Sequence, residues 1–353
     1  MVRANNLRSR KYTVLSVAYP LLPVSSGAAG GAEQILFLLE RELIAAGHRS
    51  LVVAASGSQI GGVLLETPAA PCVITDAIRA DAQHVHLDSI ERVLDQNSVD
   101  LIHFHGLDFW SYQPRGTTMR LATLHLPIAW YPQAIFDQKS IQLNCVSESQ
   151  ARSAESYKSL PVVENGIDTA QYGSKRERHN HLAWIGRICP EKGPHVALRV
   201  AQRLDMPLQI AGPVHPFAYH QGYFREEITP LLDEKRQYIG PIELQKKLDL
   251  LGSARCLLVP SSVAETSSLV AMEALASGTP VVAFRCGALP EIVEQGRTGF
   301  IVDSEEQMAE AVQRIDDISP DVCRAAARER FDVHRMVDEY LELYSRILEC
   351  SRS

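Results

Sequence analysis

At 353 residues the chain exceeds one ordinary hydrophobic core and suits two domains of about 170 residues each. Apolar residues at 46% and charged residues at 22% are the proportions of a globular protein and exclude a disordered or fibrous one. The net charge of −7 argues against a nucleic-acid binder, which would carry a basic excess or stripe.

The chain opens with basic Arg3, Arg8, Arg10 and Lys11 ahead of an apolar run at 13–18, with small residues at 27–29. That combination resembles a secretory signal, but Pro20 and Pro23 interrupt it, and a first strand over 12–18 is the better reading. An amphipathic helix follows at 33–46, stopped by Gly47, and then a strand at 50–55. The pattern continues with a helix at 86–96, strands at 99–103, 121–124 and 142–146, a short helix at 149–157, and a closing segment at 162–168. A polar, charged linker spans 174–180. Beyond it come a strand at 181–185, a helix at 196–204, strands at 208–211 and 236–239, a helix at 244–253 and a strand at 256–260. A helix ending at Gly278 and a buried strand through Ala283 follow, and an amphipathic helix at 333–348 ends the chain with Met336, Tyr340, Leu343, Tyr344 and Ile347 on one face. Strands alternating with helices imply an α/β chain with parallel sheets. The expected domains are 1–172 and 173–332.

Seven cysteines, an odd number without a Cys-x-x-Cys pair, read as small buried hydrophobes in a reducing, cytoplasmic compartment. No stretch reaches the roughly 18 apolar residues that span a bilayer, and no clear basic amphipathic helix suggests membrane attachment.

The most informative stretch is Glu265-Thr-Ser-Ser-Leu-Val-Ala-Met-Glu273, between an apolar strand and a helix. Glu265 falls on the loop and Glu273 about one turn or more into the helix, so both carboxylates could face one ligand over the helix N-terminus. Such a loop, at the carboxyl end of a strand, is where open α/β sheets bind phosphate-bearing ligands. Downstream stand Ala276-Ser-Gly278-Thr-Pro280-Val-Val, Gly287-Ala-Leu-Pro290-Glu291 and Gly296-Arg-Thr-Gly299. Upstream, Gly186-Arg187-Ile-Cys-Pro-Glu-Lys192-Gly193 also joins a strand to a helix.

Together these motifs resemble the family 4 retaining glycosyltransferases, whose pattern is Glu-x7-Glu, a Gly-x-Pro-Val-Val turn, a Gly-Gly-x-Pro-Glu loop and an upstream Gly-Arg-x4-Lys-Gly element. The resemblance implies the GT-B architecture: two Rossmann-like, doubly wound domains facing across a cleft, an N-terminal acceptor domain and a C-terminal donor domain, with the final helix packing back on the first. It also implies transfer of a sugar from a nucleotide diphosphate sugar to an acceptor hydroxyl, with retention at the anomeric carbon. The departing phosphate would take the acceptor's proton, so no carboxylate pair need flank the bond. No cofactor or metal is implied beyond the donor substrate.

By the same resemblance, Gly186, Arg187 and Lys192 grip the diphosphate, stabilising charge that grows as the bond breaks. Leu269 and Val270 offer backbone N–H groups to the phosphates at the helix N-terminus. Glu273 accepts the ribose hydroxyls, and Glu265 meets the donor sugar near the reacting carbon. Ser268 stands where the family usually has glycine, and its hydroxyl could instead cap the helix. Ala288 replaces the second glycine of its loop, and Glu291 suits first-turn helix stabilisation as well as ligand contact. In the first domain the loop Ser26 to Glu33, with Gly30 and Gly31, approaches the phosphate and acceptor, and His125 matches a histidine that touches the donor sugar. His103 and His105 would line the cleft floor or support His125. Ser147 resembles the family's cleft serine, and Asn165-Gly166-Ile-Asp168 resembles a structural turn near its hinge. Trp110, Tyr112, Trp130 and Tyr131 suit stacking on sugars and suit core packing equally.

The implied partners are a nucleotide-sugar donor and a saccharide, lipid-linked or small-molecule acceptor, for a monomer or homodimer. A catalytically weak sugar-nucleotide binder, or a partner subunit of the same fold, is the alternative.

Overall fold

The computed structural model describes residues 10–28, 30–69, 74–154, 157, 159–174 and 176–350. The chain divides into two compact units, one made of residues up to Gly166 together with those from Val333 onward, the other of Ile167–Asp332.

Unit 1 begins with β1 (Thr13–Val17), α1 (Gly31–Ala45), β2 (Arg49–Ala55), β3 (Val63–Thr67) and α2 (Asp76–Gln96). It continues with β4 (Leu101–Phe104), β5 (Met119–Thr123), β6 (Gln142–Asn144) and α3 (Glu148–Ser153). Unit 2 runs α4 (Thr169–Tyr172), β7 (Leu182–Ile185), α5 (Pro194–Arg203), β8 (Leu208–Ala211), α6 (Ala218–Tyr223), β9 (Arg236–Tyr238) and α7 (Leu244–Ser253). Then come β10 (Cys256–Val259), α8 (Leu269–Ala276), β11 (Val281–Phe284), α9 (Leu289–Ile292), β12 (Gly299–Val302), α10 (Glu305–Gln313) and α11 (Pro320–Arg330). The last helix, α12 (Val333–Cys350), returns to unit 1 and packs on α1.

Each unit holds one six-stranded, all-parallel sheet, ordered β3-β2-β1-β4-β5-β6 and β12-β11-β10-β7-β8-β9. Counted within its own unit, each order is 3-2-1-4-5-6, the doubly wound Rossmann order. Helices cover both faces, which is why the central strands are aliphatic runs without alternation: β2 is buried from Ser50 to Ala55, and β10 throughout.

Several elements differ from the sequence reading, for local reasons. β3 is an edge strand whose Val63 is exposed, so it lacks a continuous apolar signature. α2 starts at Asp76, ten positions before the expected 86, because Thr75 caps it by accepting from the Ile78 N–H. Its first turns are mostly exposed and carry no apolar period. α5 starts at Pro194, just after Gly193 in the left-handed region. α3 ends at Ser153, whereas a helix to 157 was expected; residues 155 and 156 lie outside the described residues. Residues 167–172, expected in the first domain, belong to unit 2, where the Ile167 N–H donates to the Phe331 carbonyl at 2.8 Å and Tyr172 joins the core. Of the four aromatic candidates, Tyr112 and Tyr131 are core residues, Trp110 packs against that core, and Trp130 is exposed.

Candidate active site

In unit 2 the strand order reverses between β7 and β10: β7 continues outward to β8, and β10 to β11. The loops leaving these two strands therefore diverge and open a crevice at the carboxyl end of the sheet. The first loop carries Gly186, Arg187 and Lys192; the second carries Glu265 and leads into α8.

Close backbone contact locks the loops together. Gly193 has φ +67° and sits where a Cβ would overlap the Pro260 carbonyl oxygen, so only glycine fits. The Ser262 N–H donates to the Glu191 carbonyl at 2.9 Å, and the Trp184 indole N–H donates to the Lys192 carbonyl at 3.3 Å. This framework lets Lys192 Nζ reach both oxygens of Glu265, at 2.5 and 2.7 Å. The Ser261 hydroxyl donates to the same carboxylate at 2.5 Å. The downstream loop holds Glu265 from behind: the Ala288 N–H donates to its carbonyl at 2.7 Å, and Gly287, at φ +55°, leaves no room for a Cβ against its backbone. Ala288 has φ −79°, ordinary for any residue, which explains why alanine serves where the family has glycine. Glu291 lies in the first turn of α9.

The Arg187 side chain is exposed and makes no hydrogen bond or ion pair among the described residues. Burial, and then the Arg187 charge, holds the nearby His215 imidazole below its ordinary range.

Glu273 is 4% exposed in the middle of α8. Two donors converge on its Oε1: the Tyr172 hydroxyl at 2.7 Å and Lys247 Nζ at 2.6 Å. The Lys247 ammonium also lies 6.0 Å from the centre of the Tyr172 ring. Burial and the Glu273 charge push the Tyr172 phenol far above its ordinary range, so it stays protonated and donates to Glu273. Neither Tyr172 nor Lys247 was singled out from sequence; no local signal links a residue on α4, one on α7 and one on α8. Ser268 occupies the N-cap position of α8 with extended backbone, φ −136°, but its side chain makes no capping bond, contrary to the expectation that it could cap. The first-turn amides of Leu269 and Val270 are thus left uncapped by it.

Gly30, Gly31 and His125 belong to unit 1. Gly30 is the N-cap of α1, and the space of a Cβ there is taken by the buried Glu33 carboxyl, which burial pushes up. Ala29, within the same loop, lies outside the described residues. His125 follows β5 on a clamped segment: Gln150 donates to the Leu124 and Leu126 carbonyls, both at 2.8 Å, and the Leu126 N–H donates to the Tyr131 hydroxyl at 3.1 Å. Ser147, expected as a cleft serine, caps α3, its hydroxyl accepting from the Gln150 N–H at 3.2 Å.

Behind His125 lies a buried histidine file. His105 Nδ1 is 3.3 Å from His125 Nε2, and the His103 and His105 rings stand 4.0 Å apart. His103 bridges the Tyr344 hydroxyl, at 2.7 Å from Nδ1, and the Thr123 hydroxyl, at 2.8 Å from Nε2. The Thr123 proton goes to Asn144 Oδ1, so His103 donates from Nε2 and accepts from Tyr344 at Nδ1. Burial holds His103 and His105 well below the ordinary imidazole range and His125 down to about 4. All three rings are neutral at pH 7. Of the two expected roles for His105, support of His125 is the one this contact describes.

Residues 179–317 match the family model described as glycosyl transferases group 1. The D-inositol 3-phosphate glycosyltransferase of Corynebacterium efficiens is 34% identical over 169 residues, 42% of this chain and 40% of that protein. Its counterpart in Corynebacterium urealyticum is 28% identical over 246 residues, 60% of this chain and 58% of that protein. The chain thus spans about two fifths to three fifths of these curated relatives. Among solved structures, AviGT4, a glycosyltransferase involved in avilamycin A biosynthesis, superposes with TM-score 0.73 at 23% identity, covering 96% of this chain and 98% of that one. Sucrose-phosphate synthase from Thermosynechococcus elongatus gives 0.78 at 17%, covering 97% and 100%. Anabaena HepE in complex with UDP-glucose gives 0.73 at 17%, covering 95% and 100%. Residues 179–317 thus form a group 1 glycosyltransferase domain, and the chain has the GT-B fold of two Rossmann-like units.

Proposed function

We propose that the chain is a retaining, metal-independent glycosyltransferase that moves a sugar from a nucleotide diphosphate sugar to an acceptor hydroxyl. The observation that carries this reading is the Lys192–Glu265 pair at the switch point, flanked by the unpaired Arg187 and the uncapped first turn of α8. The Lys192 and Glu265 charges neutralise each other. A diphosphate arriving there meets Arg187 at once and draws on Lys192 as its own charge grows, while the α8 amides add a third source of positive potential. These groups act on the leaving group and do not enter a covalent step. Glu265, oriented by Lys192 and Ser261, is a hydrogen-bond acceptor for donor-sugar hydroxyls. Glu273, with Oε1 held by Tyr172 and Lys247, offers Oε2 to the ribose. His125 is proposed as a neutral polar contact for the sugar, as the family resemblance implies.

UDP is the diphosphate to try first, since the HepE relative is seen with UDP-glucose. The acceptor trials should include D-inositol 3-phosphate, named for the curated relatives. Ser268 and Ala288 put no strain on their loops, because both adopt backbone angles open to any residue. Free thiols at Cys145, Cys189, Cys256 and Cys323, all buried, fit a reducing, cytoplasmic compartment.

The test is incubation with UDP-, GDP- and ADP-sugars and an acceptor pool in excess chelator, with the product's anomeric configuration read by NMR. Transfer with the donor's configuration kept supports the proposal. Inversion, or turnover abolished by the chelator, contradicts it.

A further inference from the structure

His105 Nε2 is buried out of reach of solvent and has no hydrogen-bond partner among the described residues. Its other nitrogen, Nδ1, stands 3.3 Å from His125 Nε2. A neutral imidazole carries one proton, on one nitrogen or the other. A proton on His105 Nε2 would be a buried N–H with nothing to receive it, the costlier orphan; a bare lone pair there costs less. The His105 proton therefore sits on Nδ1 and is donated to His125 Nε2. His125 Nε2 must then be an acceptor, and the tautomer follows from the bond its partner imposes.

We infer that His105 is a positioning residue that fixes the tautomer of His125, keeping the His125 proton on Nδ1. This is the reverse of the tautomer that a free imidazole favours in water. A proton at His125 Nδ1 makes that atom a donor, which suits an oxygen acceptor and disfavours a ligand N–H there. That His125 meets a sugar rests on the proposed function; the tautomer itself rests only on the contacts within unit 1. Burial of the whole file keeps the rings neutral, so the preference holds across the physiological range. The file continues to His103, already saturated by Thr123 and Tyr344, so the orphaned lone pair is confined to His105.

The test is a long-range proton–nitrogen correlation spectrum of the full chain labelled with nitrogen-15 histidine, near neutral pH. His125→Asn identifies the His125 signals by their loss. The expected spectrum shows His125 Nδ1 protonated and Nε2 bare. His105→Leu should return His125 to the Nε2–H form. His105→Asn should keep the Nδ1–H form, because its amide N–H replaces the donor. A wild-type His125 protonated on Nε2 overturns the inference, as does a His125 tautomer unchanged in a folded His105→Leu. If His105→Leu does not fold, the wild-type and His105→Asn spectra decide: Nδ1–H in both upholds the inference, and Nε2–H in either overturns it. Failure to bind or transfer with any of the UDP, GDP and ADP series would sink the proposed function and leave this spectrum unchanged.

Discussion

Lys247→Met should destabilise unit 2 through the charge it strands. The Glu273 side chain is 5% exposed and that of Lys247 17%, so the pair is largely desolvated. Removing one member of such a pair costs about 3–5 kcal/mol, because the other charge stays buried. The Tyr172 hydroxyl remains on Oε1 and Lys247 keeps some solvent, which points to the lower end, about 3 kcal/mol. In a unit of this size each kcal/mol moves the melting point by about 2–4 °C, so a fall of about 6–12 °C is expected. Trp184, 2% exposed and seated in the unit 2 core, reports that unfolding by its fluorescence. Adding Glu273→Gln should recover much of the loss, since no buried charge is then left alone. A single variant within about 0.5 kcal/mol of the wild type, the range of ordinary surface changes, would refute the reasoning.

Other outcomes follow from the same contacts. Arg187→Ala should leave stability within about 0.5 kcal/mol yet lower turnover about 10²–10³-fold, seen by comparing melting with kcat. Gly287→Ala places a Cβ against the Glu265 backbone at positive φ; turnover should collapse while Gly296→Ala, open on all sides but also at positive φ, loses only stability. Acid should weaken unit 1. His86 is fully buried and its imidazole is lowered to about 4 against an ordinary 6.5. The unfolded chain therefore binds the proton first: stability is complete above pH 6.5 and declines as pH falls toward 4, by on the order of 3 kcal/mol for this ring. Denaturant melts followed across that window should show the loss, and His86→Gln should make it shallower by this ring's share, leaving the part due to His103, His105 and His125.

The unit 2 motifs were legible because their spacing reflects local geometry: a strand end, a loop and a helix start recur within one short segment. Lys192 and Glu265 were each visible there. Their mutual bond was not, since it depends on Gly193 and Pro260 bringing two loops together across the sheet. Lys247 and Tyr172 were hidden for the same reason, and a lysine in an exposed-looking helix gives no hint of a buried carboxylate. β3 escaped because an edge strand needs only one apolar face, and the start of α2 because its first turns face solvent. Ser268 shows the converse error: a residue type well suited to capping sat at the cap position without making the bond.

The central claim is a nucleotide diphosphate site on unit 2, and thermal stabilisation of the full chain by UDP, GDP and ADP tests it most directly. A ligand at about 100 times its dissociation constant should stabilise by about 2.7 kcal/mol. The account predicts a melting shift with one of the three, lost in Arg187→Ala and in Glu273→Ala. No shift with any of them, or a shift that survives both substitutions, would contradict it.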